Sequence, residues 1–297
     1  WAAKLPTPHG NSYSAMAENQ KKHHRFKSFN DRIDEVDVNI WRNIEFVRTG
    51  EDGTPAGDIE DPEKPHFTEL LQHWTQTNRT QDFADCAKEL RPLVQSLPMI
   101  IFNLEAVVGA LLQHAAKPKS MAAEPVLMLL GALGRDVRGE LTPYFGKIFS
   151  TLASLLEVAT RVGEQDAELI ELVFQSLAYI LKYLARYVAN DLPKYLATYA
   201  VLLSHQKSYI RHFAGETLAF IIRRLRAGRI EAAVGNIFGL LSTDRTQEEL
   251  IALADSLSVM LFEAAKSIQH QFHSQMQSLV EAVLHLQVSA DVGDAKS

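Results

Sequence analysis

The side chains that could do chemistry in this chain are few and scattered. Histidines occur as His23-His24, His205 with His212, and His270 with His273. Residues three apart share a helix face, so His270 and His273 could reach one metal ion. A metal centre needs further ligands, and no Cys or Asp stands near them; Glu263 lies two turns away. Cys86 is the single cysteine and sits among apolar positions, which is the setting of a small buried residue. One thiol forms no internal disulfide, so nothing indicates an oxidising compartment. The carboxylate pairs Glu168/Glu171 and Glu248/Glu249 fall where helices are expected to begin, and there they complement the helix dipole. No dinucleotide-binding glycine fingerprint, phosphate loop, zinc-protease motif or paired cysteine motif occurs. The expectation is a chain with no catalytic centre, no cofactor, no metal site and no small-molecule substrate.

What the sequence does concentrate is positive charge. The 297 residues carry a formal net charge of −6, so the whole chain is no polycation. Between 205 and 229, however, Lys207, Arg211, Arg223, Arg224, Arg226 and Arg229 oppose only Glu216. A local cationic face of this kind suits phosphate or an acidic partner. A second basic stretch, "KKHHRFK" at 21–27, contributes Lys21, Lys22 and Arg25. With Arg211 at zero on a helix over roughly 208–226, Ile210, Phe213, Ala214, Thr217, Leu218, Ile221 and Leu225 share one apolar face. His212, Arg223 and Arg226 fall together on another, with Glu216 beside them. The same bases are also what a solvated outer face and a helix C-terminus would carry, and both interpretations stand on sequence alone.

Those residues must be held by helices. Residues 1–24 are polar and rich in turn formers, which predicts a flexible basic arm; 25–48 predicts short helices, one after Ser28 and one after Asp37. The stretch 49–65 holds three glycines, three prolines and a run of acids, and predicts a loop or disordered insert. From 66 to 287 the apolar spacing is helical throughout, and 288–297 is a tail. Phe67, Leu70, Leu71 and Trp74 define one face of the first long helix. Pro98 suits the first turn of a helix running on through "MIIFNLEAVVGALLQHAA", and Thr246 with Glu249 forms a capping-box pattern. Alternating strand patterns are missing, so the fold class is all-α. No apolar run is long enough to span a bilayer. The sequon Asn78-Arg79-Thr80 is read as chance, and the opening Trp1 without a signal-peptide pattern suggests a fragment or a processed chain.

The helices repeat. "LAYILKYL" at 177–184 returns as "LAFIIRRL" at 218–225, with the charge of the last turn raised. "PYFGKIFSTL" at 143–152 resembles "PKYLATYAVL" at 193–202, matching Pro143 to Pro193, Phe145 to Tyr195, Phe149 to Tyr199 and Leu152 to Leu202. Each unit reads as a helix, a short turn and a proline-initiated second helix. The spacing lies near the roughly 40–47 residues of HEAT and armadillo units. One such pair cannot bury its apolar face alone, whereas stacked pairs can, which makes an α-solenoid of antiparallel helix pairs. A compact helical bundle with accidental similarity is the competing architecture.

Three segments in order, "RFKSFNDRIDEVDVNIWRNIE" at 25–45, the stretch 181–225 and "LFEAAKSIQHQFHS" at 261–274, resemble the N-terminal part of the down-regulated-in-metastasis family. These are very long HEAT-repeat components of the small-subunit processome, associated with the U3 small nucleolar ribonucleoprotein. The resemblance implies a nucleolar, non-catalytic scaffold supporting pre-ribosomal RNA processing to 18S rRNA. It implies pre-ribosomal or U3 RNA and other processome proteins as partners, and no membrane. The competing function is a peptide-binding HEAT or armadillo solenoid such as a nuclear transport adaptor. A compact helical enzyme domain is a third, for which the sequence offers no residue set. The arm 1–24 and the insert 49–65 lie outside the family pattern, and no function carries over to them.

Overall fold

In a computed structural model, the structure describes residues 25–35, 65–117, 119–161, 166–226 and 245–266, with isolated positions between 229 and 237 and at 280 and 284. The arm 1–24, the expected helix after Asp37, nearly all of the insert 49–65 and the pair His270/His273 lie outside the described residues. Eleven α-helices occur among the described residues: α1 (Phe29–Glu35), α2 (His66–Thr77), α3 (Gln81–Leu90), α4 (Leu97–Phe102), α5 (Leu104–Ala115), α6 (Ala123–Val137), α7 (Phe145–Ala159), α8 (Ala167–Asn190), α9 (Leu192–Leu203), α10 (Ser208–Ile222) and α11 (Gln247–Ala265). No strand accompanies them there, so the fold is all-α. No helix among the described residues is long and apolar enough to cross a membrane.

The helix starts follow the local chemistry. The Thr80 and Asp166 side chains accept from the N–H groups of Phe83 and Leu169, satisfying donors the first turn leaves unpaired. Thr246 and Glu249 form the reciprocal capping box that their spacing predicts. Two expectations need correction. The helix expected to run unbroken through Asn103 is interrupted there, because the Asn103 side-chain amide donates to Met99 O and its backbone turns out of the α region. The proline-initiated helices do not start on proline. Pro193 is the second residue of α9, and Pro143 lies inside a 3-10 stretch, Arg138–Tyr144, that leads into α7.

Two layers form. In one, α2, α6, α8, α10 and α11 pack side by side; in the other, α3, α5, α7 and α9 do the same, and α5–α6, α7–α8 and α9–α10 join the layers. From α6 onward neighbours within a layer run parallel in fixed register, whereas α2 lies antiparallel to α6 and α3 to α5. Ser176 on α8 donates to Leu127 O on α6, the Tyr179 ring lies against Gly131, and the Tyr187 ring lies against Gly139. The repeat read from the sequence is therefore physical contact. Phe145 meets Tyr195 edge-on at 5.0 Å between ring centroids, and Phe149 meets Tyr199 at 4.5 Å. Residues matched across the repeat stack on one another, as a solenoid requires and a bundle does not. The apolar interior is continuous from Phe67 to Leu261.

The segment 25–35 does not stand apart from this stack. Phe29 is fully buried, with its ring 5.7 Å from Phe213 and 5.2 Å from Phe220. Arg32, 2% exposed, pairs with Glu171 and reaches Gln175 Oε1 at 3.3 Å. Asn30 donates to Glu263 on α11 at 3.0 Å. The α1 segment is thus a strap across α8, α10 and α11.

Candidate nucleic-acid interface

The helix α10 carries the cationic stretch, and the structure buries far more of it than one apolar face. The seven residues assigned to that face are buried, and so are Gly215, Ala219, Phe220 and Ile222. The cause is its position: α8 flanks it on one side, α11 on the other, α9 lies beneath and the strap lies above. The expected arc was too narrow because a helix inside a layer has neighbours on nearly every side. The helix also ends at Ile222, with Arg223 as its C-cap.

This splits the candidate bases. Lys207 and Arg223 flank the 15-residue helix, so the two ends lie roughly 24 Å apart at 1.5 Å per residue. At the N-terminal end Arg211 donates to Asp255 Oδ2 through Nε at 2.9 Å and Nη2 at 2.8 Å, and through Nη1 to the carbonyls of His205 and Gln206. His212 stands 3.6 Å from the other oxygen of Asp255. His205 is buried and accepts from the Lys207 N–H at 3.0 Å. Burial pushes its pKa below the ordinary imidazole value, against the pull of Glu157 at 3.4 Å. Lys207 itself is exposed.

Glu216 does not accompany the bases in solvent. It accepts the Phe29 N–H at 2.5 Å under the strap, and burial raises its carboxyl above the usual range. Around it a groove of about 330 Å³ is lined by Arg25, Lys27, Asp31, His212 and Phe26. Arg25 is exposed at the rim, while Lys27 is tied to Glu35 at 2.7 Å. The mixture of acids and bases gives this groove no single sign. Lys21 and Lys22 lie outside the described residues.

At the C-terminal end the picture differs. Arg224 and Arg226 are exposed, and the Arg224 guanidinium lies 4.7 Å from the Phe220 ring centroid. Arg223 is half-buried, and burial lowers its pKa while Glu263 opposes that shift. Arg229 is exposed and donates to the Asn190 carbonyl at 3.1 Å at the end of α8. The candidate bases therefore form two groups, of which the first is largely consumed in holding helices together. The residue that consumes it, Asp255, was not legible as a partner, since it lies 44 residues from Arg211 in sequence.

No group of three or more metal-ligating side chains exists among the described residues. Cys86 is buried, and burial pushes its thiol up to about 12, far from a reactive thiolate. A cavity of about 410 Å³ between α2 and residues 91–95 is lined by Thr68, Gln72, Thr75, Gln76, Arg91 and Gln95, which bring no acid–base pair together.

Fold and surface define an all-α solenoid with exposed arginines beyond the C-terminal end of α10. No protein-family model matches the chain. The chain is similar to U3 small nucleolar RNA-associated protein 20 of Saccharomyces cerevisiae, 26% identical over 265 residues, which cover 89% of this chain and 10% of that protein. It is 25% identical over 215 residues to U3 small nucleolar RNA-associated protein 20 of Schizosaccharomyces pombe, covering 70% of this chain and 8% of that protein. The chain thus spans about a tenth of the length of these relatives. The resemblance carried by 25–45, 181–225 and 261–274 is borne out by both matches.

Proposed function

We propose that this chain is a non-catalytic α-solenoid scaffold of ribosome biogenesis, acting in the nucleolus within the small-subunit processome. It supports pre-ribosomal RNA processing to 18S rRNA and small-subunit assembly by positioning partners. The observation that carries this is the similarity over 89% of the chain to a protein named for its association with U3 small nucleolar RNA. The stacked register supports it, because a rigid two-layer stack fixes the relative placement of whatever binds along it. The partners are pre-ribosomal or U3 RNA and other processome proteins. Lys207, Arg211, His212, Arg223, Arg224, Arg226, Arg229, Lys21, Lys22 and Arg25 are the candidate contacts. Arginine and lysine at such a surface hold phosphates without reading sequence.

The test is ultraviolet crosslinking of the tagged full-length protein in cells, with sequencing of attached RNA and gradient sedimentation. Co-sedimentation with pre-ribosomal particles and recovery of pre-ribosomal or U3 RNA is the expected result. A protein that neither sediments with those particles nor recovers such RNA overturns the proposal and returns the peptide-binding solenoid, which no observation here favours.

A further inference from the structure

The parallel register of α6, α8 and α10 does something the sequence of any one helix does not show. It places their C-terminal ends at one edge of the stack. Tyr187 lies against the backbone of Gly139, which sets Arg138 beside the last turns of α8. Arg229 bonds Asn190, which sets the turn after α10 beside the same end of α8. Arg138, Arg186, Arg224 and Arg226 therefore follow one another across three successive repeats. All four are exposed, and none has a carboxylate partner among the described residues. At the usual helix spacing of 8–10 Å the row is roughly 20 Å long.

Resting on the scaffold reading above, we propose that this edge, and not the length of α10, is where the chain holds RNA, through the sugar–phosphate backbone. A helix C-terminus favours bases through its dipole, which accounts for one arginine per helix at little cost. It does not account for their pre-set geometry. Arg186 lies 5.4 Å from the Tyr187 ring and Arg224 4.7 Å from the Phe220 ring, so planar guanidiniums are held on aromatic faces. Arg138 keeps a positive φ of 44°, which a non-glycine residue seldom adopts, and its Nε donates to Arg135 O. The Tyr183 phenol feels both Arg135 and Arg138. Arginine forks pre-set in this way suit phosphate, and the similarity to a protein named for its association with U3 small nucleolar RNA makes a nucleic-acid backbone the occupant. Two exposed acids, Glu140 and Asp191, belong to the same edge, so its charge is in excess but not uniform.

The test uses the full protein and a mixed-sequence single-stranded RNA of about 20 nucleotides, with polyglutamate as the acidic-polypeptide probe. Each contact contributes about −0.7 to the slope of log affinity against log salt for a single strand. The combined variant Arg138→Gln, Arg186→Gln, Arg226→Gln should weaken RNA binding at least tenfold, and reduce the slope by about 2, with helicity unchanged. Replacing the same three by Lys should restore the slope. Arg79→Gln, Lys88→Gln, Arg161→Gln, three exposed bases elsewhere, should alter neither quantity. Wild-type RNA affinity and slope in the edge variant overturns the proposal. So does loss of polyglutamate binding with RNA binding intact. Wild-type co-sedimentation with pre-ribosomal particles is read separately: if it holds while the edge variant binds RNA normally, only the edge assignment fails. If it is missing, the scaffold proposal fails.

Discussion

The two ends of α10 carry bases of the same kind and put them to different uses. At the N-terminal end, Arg211 forms a two-pronged pair with Asp255 and also caps the carbonyls of 205 and 206. It is a joint between helices. At the C-terminal end, Arg224 and Arg226 point from the edge of the stack with no carboxylate partner among the described residues. Charge counted along a sequence cannot separate these cases. What separates them is whether the next helix in the layer brings an acid within reach: α11 sets Asp255 against Arg211, and its Glu263 lies toward Arg223, while Arg224 and Arg226 pair with neither. The comparison makes firm expectations: substitutions at the joint cost stability, and substitutions at the edge cost binding.

The largest effect belongs to the strap that closes the joint side. Phe29→Ala removes a fully buried ring from between Phe213 and Phe220 and should cost about 3–5 kcal/mol of strap docking. Hydrogen exchange at 25–35 should rise sharply, with a smaller rise in α10. Unchanged protection of 25–35 would mean that the strap is held by its polar contacts alone. Gly215→Ala comes next. A methyl there would stand 2.6 Å from the carbonyl oxygen of Ser256, and backbone cannot step aside as a side chain can. A loss of about 1–3 kcal/mol is expected from overpacking, read as a lower denaturation midpoint. A neutral result would show that α10 and α11 slide freely, against the fixed register.

The joint itself is tested by Arg211→Gln, expected to cost about 1 kcal/mol, since Asp255 remains partly solvated and the pair is worth less than a buried one. The same end should respond to acid. His205 is neutral and buried, and its folded pKa lies below the ordinary value. A base with a lowered folded pKa contributes its stability in full above the unfolded value of about 6.5, and that contribution is lost as pH falls below it. The denaturation midpoint should therefore drop between neutral and mildly acidic pH, and His205→Asn should flatten that drop. A drop of the same size in the variant would assign it to other groups.

Much of this was readable in advance, for a physical reason. Repeats at a fixed spacing expose matched residues, and the ring pairs Phe145–Tyr195 and Phe149–Tyr199 are those matches in contact. The capping box at Thr246 was readable because it is local. The buried face of α10 was read only in part, because periodicity reports one partner while the layer supplies several. The role of Glu171 was missed: expected as a first-turn acid, it is the fifth residue of α8 and holds Arg32 from a segment 139 residues earlier. The grouping of the bases was missed for the same reason, since it depends on the register of α6 against α8 and of α8 against α10.

The smallest stability effect is the one that decides between the ends. Arg226→Gln alters an exposed side chain with no ion pair among the described residues, so stability should stay within about 0.5 kcal/mol. Set beside Arg211→Gln, it is a matched charge deletion on the same helix segment. If the two ends are alike, the pair of variants should lose stability and RNA affinity in similar proportion. If they differ as the contacts require, Arg211→Gln lowers the midpoint more than it lowers RNA affinity, and Arg226→Gln does the reverse. The crossing of the two measurements, more than the size of either, carries the distinction, because a general loss of folding would move both in one direction.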